Sequence, residues 1–289
     1  MTPGGRIAAE FATSRIALLG LALLALVLFA ALLAPWISPQ NPYDLARLEL
    51  LDSRLPPGAR SASGTVHWLG TDDQGRDMLS AIFYGLRTSI AVGLASTILG
   101  LAVGVSVGLG AAWFGGWLDA LLMRLADLQL SFPSILIALV LLAVLGQGLD
   151  KIIVALVAVQ WAYYARTARA AALVERRKGY IDAAVALALS DARIIFRHLL
   201  PNCLPPLLVL ATVQVAAAIT LEATLSFLGL GLPITRPSLG LLISNGFNYL
   251  LSGYYWISVF PGMALLLAVV SINLVADRLR EVLDPHKRR

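Results

Sequence analysis

The chain has 289 residues, of which 58% are hydrophobic and 13% charged, and its mean hydropathy is +0.80. Soluble domains carry about 45–50% apolar and about 25% charged residues, so a water-exposed fold could not hide this much apolar surface. The net charge of +5 is not gathered into a basic patch interleaved with aromatics, which excludes a nucleic-acid surface.

A helix rises ~1.5 Å per residue, so about 20 apolar residues cross a hydrocarbon core of ~30 Å. Six runs meet this length, at about 15–36, 88–112, 128–146, 152–172, 204–228 and 257–276. The first follows Arg6 and Arg15 and ends among Ala30, Ala31 and Ala34, as a secretory signal would. A signal core is only about 7–15 residues, however, so the run is read as a retained anchor. The polar segment 38–87 contains Pro39, Pro42, Pro56, Pro57 and Gly58 and is read as a linker. Its DDQGRD stretch places Asp72, Asp73 and Asp77 around Gly75, without the alternating oxygen ligands and distal Glu of a calcium loop.

In the second run Gly93, Gly100, Gly104 and Gly108 fall near one helix face. Small residues so spaced let two backbones approach in lipid, and they predict a packing seam with an unspecified partner helix. Between the fourth and fifth runs lies ARTARAAALVERRKGYIDAAVALALSDARIIFRHLLPN, too polar to cross and too rich in Ala and Leu to be disordered. It predicts a short helix from Tyr180 to Leu189, with Gly179 separating it from the preceding helical stretch. A second helix follows with Ser190 as its N-cap and Asp191 at its positive end. Pro205 and Pro206 are expected at the start of the fifth span. Ala183, Ala184, Ala186 and Ala188 predict a small, nearly flat exposed face that suits a protein cleft better than lipid, which selects bulky residues under a basic face. Arg at Ala184 or Ala188 is then expected to stop function without stopping membrane insertion.

Glu222 lies inside the fifth run, where an ionisable group is expensive and points to function by default. A proton-coupled carrier would use such a carboxylate in its translocation path; a structural role needs only Ser, Thr or backbone partners, and is preferred. In the segment 230–256, Tyr254, Tyr255 and Trp256 fit an interfacial aromatic belt. With the N-terminus inside, Lys and Arg divide about two to one in favour of the inner segments, which include Arg176, Arg177 and Lys178 and, at the end, Lys287, Arg288 and Arg289; Arg47 is among the outer ones. Both termini are therefore expected in the cytoplasm. Cys203 is the one cysteine, and His67, His198 and His286 lack metal-ligand spacing. There is no phosphate-loop, H-E-x-x-H or G-x-S-x-G motif, so no catalytic site, metal or cofactor is expected in the chain itself.

The stretch IDAAVALALSDARIIFRHLLPN resembles the E-A-A loop of permease subunits in prokaryotic ABC importers. Asp182, Ala183 and Ala184 take the E-A-A place, Ala188 stands where that pattern has Gly, His198 stands at an Ile place, and Leu200-Pro201 matches its Leu-Pro. Gly70 to Asp77 resembles the G-T-D-x-x-G-R-D core of dipeptide, oligopeptide and nickel permeases, and Glu222 to Gly231 their E-A-x-L-S-F-L-G-L-G segment. Pro237-Ser238-Leu239-Gly240 departs from their usual Pro-Ser-Trp-Gly. The likeness is to the second permease of such pairs.

The resemblance implies an all-α membrane protein of six transmembrane helices with the type I ABC importer permease fold and a cytoplasmic coupling helix. It implies a sister permease, two cytoplasmic ATPases and an extracytoplasmic substrate-binding protein as partners in the inner membrane. Asp182, Ala183, Ala184, Ala188 and Ser190 would dock the ATPase, and Glu222 is the candidate for the path. The chain would divide into a cytoplasmic N-terminus with the first span (1–37), an extracytoplasmic segment (38–87), a five-helix core (88–277) and a basic tail (278–289). Short peptides lead as cargo, with nickel, glutathione or another small solute as the alternative. The outer loops near Gly70–Asp77 and Pro233–Gly240 are candidates for meeting the binding protein. A secondary carrier and a non-transport membrane scaffold are the competing classes.

Overall fold

Ser14 and Asp77 begin the two helices that frame the first half of the chain, each through a side-chain oxygen that accepts from the first turn: Ser14 Oγ from Ala17 N at 3.3 Å, and Asp77 Oδ2 from Ser80 N at 2.8 Å. In the computed structural model, residues 3–44, 48, 50–61, 64–233 and 235–283 are described. Arg47, His286, Lys287, Arg288 and Arg289 lie outside the described residues, as does the side chain of Arg6.

The order is α1 (Pro3–Ala12), α2 (Arg15–Ile37), a ribbon of β1 (Ala59–Arg60) and β2 (Val66–His67), then α3 (Met78–Phe114), α4 (Gly116–Leu130), α5 (Ser134–Leu145) and α6 (Leu149–Glu175). There follow α7 (Gly179–Ala186), α8 (Asp191–Arg193), a π-helical turn at Ile194–Leu199, α9 (Leu200–Phe227), α10 (Leu239–Phe247) and α11 (Trp256–Leu283). The ribbon is antiparallel, pairing Ala59 with His67 and Arg60 with Val66.

The second apolar run is part of a much longer helix. Capped by Asp77, α3 begins at Met78, ten residues before that run, and its 37 residues span about 55 Å, so its ends stand beyond any hydrocarbon core. The third run is not one helix: α4 and α5 meet at 93° across Ser131–Pro133, because Pro133 can supply no helical N–H and disfavours helix in the residue before it. Gln129 pins the bend. Its Nε2 donates to the carbonyls of Ala158 (2.6 Å) and Val159 (3.0 Å) in α6, and its Oε1 accepts from Trp161 Nε1 (2.6 Å).

Among the described residues, four helical stretches are long and apolar enough to cross a membrane: Arg15–Ile37, Met78–Phe114, Asp191–Phe227 and Trp256–Leu283; the bent pair makes a fifth. The expected six is therefore not reached by length and apolarity alone. The fourth run is α6, whose 27 residues give about 40 Å of length but include Asp150, Lys151, Gln160, Arg166 and Arg169. Much of it packs inside the bundle, with Ile152, Ala155, Leu156, Ala162, Tyr164 and Ala168 fully buried, while Val154, Tyr163 and Val174 are exposed. Large apolar side chains elsewhere point outward, among them Leu26, Ile98, Val144 and Leu266, as a lipid solvent permits.

The glycine seam has two partners. A Cβ on Gly104 would collide with the Trp161 carbonyl oxygen and lie 2.5 Å from Tyr164 Cβ; one on Gly108 would meet the Ala165 carbonyl and lie 2.8 Å from Ala168 Cβ. Gly100 faces Gln160 on the same helix, α6, whereas Gly93 faces Ile219 of α9, 2.7 Å from where its Cβ would be. At the far end of the chain, Arg278 Nη2 donates to the Glu10 carbonyl (2.5 Å) and to Thr13 Oγ1 (2.8 Å), tying α11 to the end of α1.

The seam gives a paired prediction. Gly104→Leu should lower the thermal midpoint of the detergent-solubilised chain severely, because the obstruction is backbone and cannot yield. Gly110→Ala meets nothing within 4 Å and should be neutral or stabilising by about 0.5–1 kcal/mol from helix propensity.

Candidate functional site

The segment between α6 and α9 is built as one braced unit. As α6 ends, Arg176 Nη1 donates to the last carbonyls of α3, those of Ala112 (2.7 Å) and Trp113 (2.8 Å), while its guanidinium carbon stands 5.1 Å from the centre of the Trp113 ring. A cation satisfies orphan carbonyls there, where the helix dipole is negative. Glu175 accepts from Lys178 Nζ (2.5 Å) and from Tyr180 Oη (2.7 Å). Asn202 Nδ2 of α9 donates to Tyr180 Oη (3.2 Å) and to the His198 carbonyl (2.7 Å). Desolvation first, and then the Glu175 carboxylate, push the Tyr180 hydroxyl up to about 12, so it stays a proton donor throughout the physiological range. One polar chain thus links α6, α7 and α9.

Beneath it α7 rests on an apolar cluster. Ile181 and Ala184 are buried with Ala172, Ile194, Leu199, Cys203 and Leu207. This corrects the expected exposed face: Ala184 points into the protein, one helical turn from Ile181. Asp182, Ala183, Ala186 and Ala188 are exposed as expected. They are accompanied by Val185 (55% exposed), Leu187 (74%) and, on the π-helical turn, Phe196 (68%). The outward surface is therefore small at Ala183 and Ala186 and apolar beside them.

The helix is shorter than predicted, stopping at Ala186, and its ending explains the Gly of the family pattern. Leu189 N donates to the Ala184 carbonyl (3.2 Å) and Ala188 N to the Val185 carbonyl (2.9 Å), which is a Schellman ending with Ala188 at its left-handed position, φ 52°. Leu189 folds back against the buried cluster. Ser190 occupies the N-cap of α8 through its backbone, its carbonyl accepting from Ile194 N at 3.0 Å, but its side chain makes no capping bond. The wider π-helical turn then precedes Pro201, whose ring would crowd the Arg197 carbonyl in a regular α-helix. Because helix is already established at Leu200, Pro205 and Pro206 lie inside α9 and not at its start.

Glu222 is fully buried in α9. Ser89 Oγ of α3 donates to its Oε2 (2.7 Å) and Ser226 Oγ to its Oε1 (2.8 Å), with Ser238, the N-cap of α10, as a further hydrogen-bonding partner. The carboxyl joins α3, α9 and the cap of α10.

The Gly70–Asp77 segment forms a second polar knot at the opposite end of the bundle from α7. Asp72 Oδ1 accepts from Gln74 N and Arg76 N (both 2.9 Å), and Asp72 Oδ2 from Arg76 Nε (2.6 Å), with both side chains wholly buried. Asp77 Oδ1 lies 2.9 Å from His67 Nδ1, and Trp256 Nε1 donates to the Thr71 carbonyl (3.1 Å). Gly70 has φ 78°, and a Cβ there would lie 2.5 Å from the Leu55 carbonyl oxygen. Thr71, Asp72, Arg76 and Asp77 are turned inward, leaving Asp73 and Gln74 partly exposed. In the other candidate loop Pro237 to Gly240 are buried too, leaving Thr235 and Arg236 exposed. Tyr254 and Trp256 serve this knot more than an interface: Trp256 is buried, and Arg54 stacks over Tyr254 with its guanidinium carbon 5.4 Å from the ring centre.

A family profile described as the binding-protein-dependent transport system inner membrane component matches residues 100–289. The chain belongs to this family. A second profile, the N-terminal transmembrane domain of oligopeptide transport permease C, matches residues 2–57. A putative peptide transport system permease protein of Brucella suis biovar 1 is 43% identical, covering 92% of this chain and 86% of its own. The dipeptide transport system permease protein DppC of Escherichia coli is 40% identical over 99% of this chain and 94% of its own, and the di/tripeptide transport system permease protein DppC of Pseudomonas aeruginosa 38% identical over 96% and 90%. A subunit in the inward-facing MetNI methionine ABC transporter superposes with TM-score 0.57 at 24% identity, covering 71% of this chain and 97% of that one, a likeness of fold. The permease is thus an all-α, multi-pass membrane component of the type I importer fold.

Two substitutions in this permease test the local chemistry. Ala188→Gly should stabilise it by about 0.5–1 kcal/mol, since a left-handed non-Gly residue costs about 1–2 kcal/mol, partly offset by the greater unfolded freedom of Gly. A thermal melt should show the midpoint rise by about 1–4 °C; Ala188→Val should move it down. Glu222→Gln should keep transport, because an amide can still accept from serine, whereas Glu222→Leu strands buried hydroxyls at about 1–3 kcal/mol each and should lower the midpoint.

Proposed function

We propose that this chain is the permease of an ATP-driven importer of di- and oligopeptides, forming the translocation path with a sister permease. Two cytoplasmic ATPases and an extracytoplasmic substrate-binding protein complete the assembly, and both termini of this chain lie in the cytoplasm. The permease itself catalyses no reaction; the ATPases hydrolyse ATP. The peptide cargo follows the names of its relatives, which outweigh nickel, glutathione and other small solutes. The chain is proposed to divide into an N-terminal anchor (1–37), an outer segment (38–87), a core (88–277) and a basic tail (278–289), with the first ten residues of α3, from Met78, lying in the outer segment.

The observation that carries the mechanism is the braced, small-faced helix α7. Its exposed Ala183 and Ala186, flanked by Asp182, Val185, Leu187, Ala188 and Ser190, suit a cleft in the ATPase, while Ile181, Ala184 and the Glu175–Tyr180–Asn202 chain fix it to α6 and α9. ATP closes the ATPase pair, α7 travels with its cleft, and α6 and α9 move as its levers. Such coupling requires that α7 dock more favourably in one state of the pair than in the other, since a partner indifferent to the two states shifts nothing.

Ala184 is buried, so Arg there would test folding. Ala183→Arg and Ala186→Arg test docking instead. Each should reduce peptide uptake in cells at least about tenfold, the effect of roughly 1.4 kcal/mol or more of lost docking, while membrane insertion and the thermal midpoint remain as in the wild type. Normal uptake by both would refute the docking role. Uptake should also survive a protonophore and stop on ATP depletion; the reverse would establish a proton-coupled carrier.

A further inference from the structure

At the end of the bundle opposite α7, a cavity of about 580 Å³ opens between the head of α3, the start of α6 and the loop before α10. Concave sites of about 300–1,000 Å³ suit small ligands. Arg87 and Arg236 line it together with Tyr43, Thr88 and Leu149. Among the described residues, neither arginine has a carboxylate partner. Arg87 lies one residue before the apolar run of α3, and both arginines are exposed.

The surroundings hold these groups in place. Arg236 sits in a tight turn, its N–H donating to the Pro233 carbonyl at 2.9 Å, and Pro237 beyond it is buried. The Tyr43 ring packs edge-on against Tyr84, with centroids 5.1 Å apart. Thr88, which also lines the cavity, gives its hydroxyl proton to the Tyr84 carbonyl (3.0 Å). Asp150, at the first turn of α6, lines an adjoining cleft with Arg236 and pairs with neither arginine.

Resting on the peptide-importer reading, we propose that Arg87 and Arg236 form a carboxylate-binding site at the outer entrance of the path, which takes the C-terminal carboxylate of an incoming peptide. Peptides of differing sequence share only their backbone and their two charged ends. A site that must serve many of them can recognise the anionic end without reading side chains, and guanidinium groups match a carboxylate in a bidentate geometry. A concave site lined by two cations and an apolar wall fits a small anion better than a protruding protein loop.

The test uses the complete complex, with sister permease, ATPases and binding protein, reconstituted in proteoliposomes. The probes are radiolabelled dialanine and trialanine and their C-terminal amides, each loaded to saturation on the binding protein, whose own affinity for each is measured separately. The Arg87→Gln/Arg236→Gln double variant should lower uptake of the free acids about tenfold and that of the amides less than about twofold. Arg87→Lys/Arg236→Lys, which keeps the charge without the bidentate fork, should restore only part of the acid uptake, and Arg60→Gln, exposed at the same end, should leave the acid-to-amide ratio unchanged. Equal loss of acids and amides, accompanied by weaker capture of the binding protein, would overturn the site and make it a protein-docking surface. If the double variant does not assemble, Arg87→Gln alone decides: an unchanged acid-to-amide ratio overturns the proposal and a lowered one supports it. Wild-type complex that imports none of the four probes overturns the peptide reading, and the site with it.

Discussion

The backbones of α3 and α6 touch. Gly104 and Gly108 leave no room for a Cβ against the carbonyls of Trp161 and Ala165, so the two helices run together with almost no side chain between them. In lipid no hydrophobic force drives helices together, and close packing of small residues provides the attraction instead. This contact brings the end of α6 to the last turn of α3, within reach for Arg176 to cap it. The footing of α7 follows from that cap and from the buried cluster of Ile181 and Ala184 beneath it.

Polar groups then fix what the seam leaves free. The buried Asp72–Arg76 pair and Asp77 hold the linker to the head of α3, Glu222 joins α3 to α9 and α10, and Gln129 holds the α4–α5 bend against α6. A buried ion pair adds little net stability over apolar packing, but losing one partner is costly, about 3–5 kcal/mol. Such groups fix geometry more than they add stability. The end of the bundle opposite α7 is therefore locked by buried polar networks, whereas the α7 end is braced by a partly solvated chain through Tyr180.

Much of this was legible in the sequence because it depends on local composition. Long apolar runs marked the helices, the glycine spacing marked a close approach, and the E-A-A-like loop marked α7. What was not legible depends on tertiary geometry. Apolarity extends through 128–146 without regard to the bend that Pro133 permits, and much of α6 is buried among helices although its run looks lipid-facing. The inward turn of Ala184 did leave a signal, since Ile181 three residues earlier must share its face. The early start of α3 was also available in principle: Asp77 followed by Ser80 is an N-cap pattern. Arg87 masks that start, because its charge interrupts the apolar pattern that marks the rest of α3.

Ala188 shows how a departure from a pattern is absorbed. The left-handed turn that ends α7 suits Gly, yet Ala adopts it, supported by two backbone bonds and the return of Leu189 to the core. The account as a whole rests on the side of the membrane that α7 occupies and on what covers it there. The direct measurement is thiol labelling of Ala186→Cys in cells by a membrane-impermeant maleimide; the native Cys203 is buried and contributes little background. The account predicts no labelling of intact cells, labelling after permeabilisation, and protection when the partner ATPases are co-expressed. Labelling from outside intact cells, or equal labelling with and without the ATPases, would contradict it.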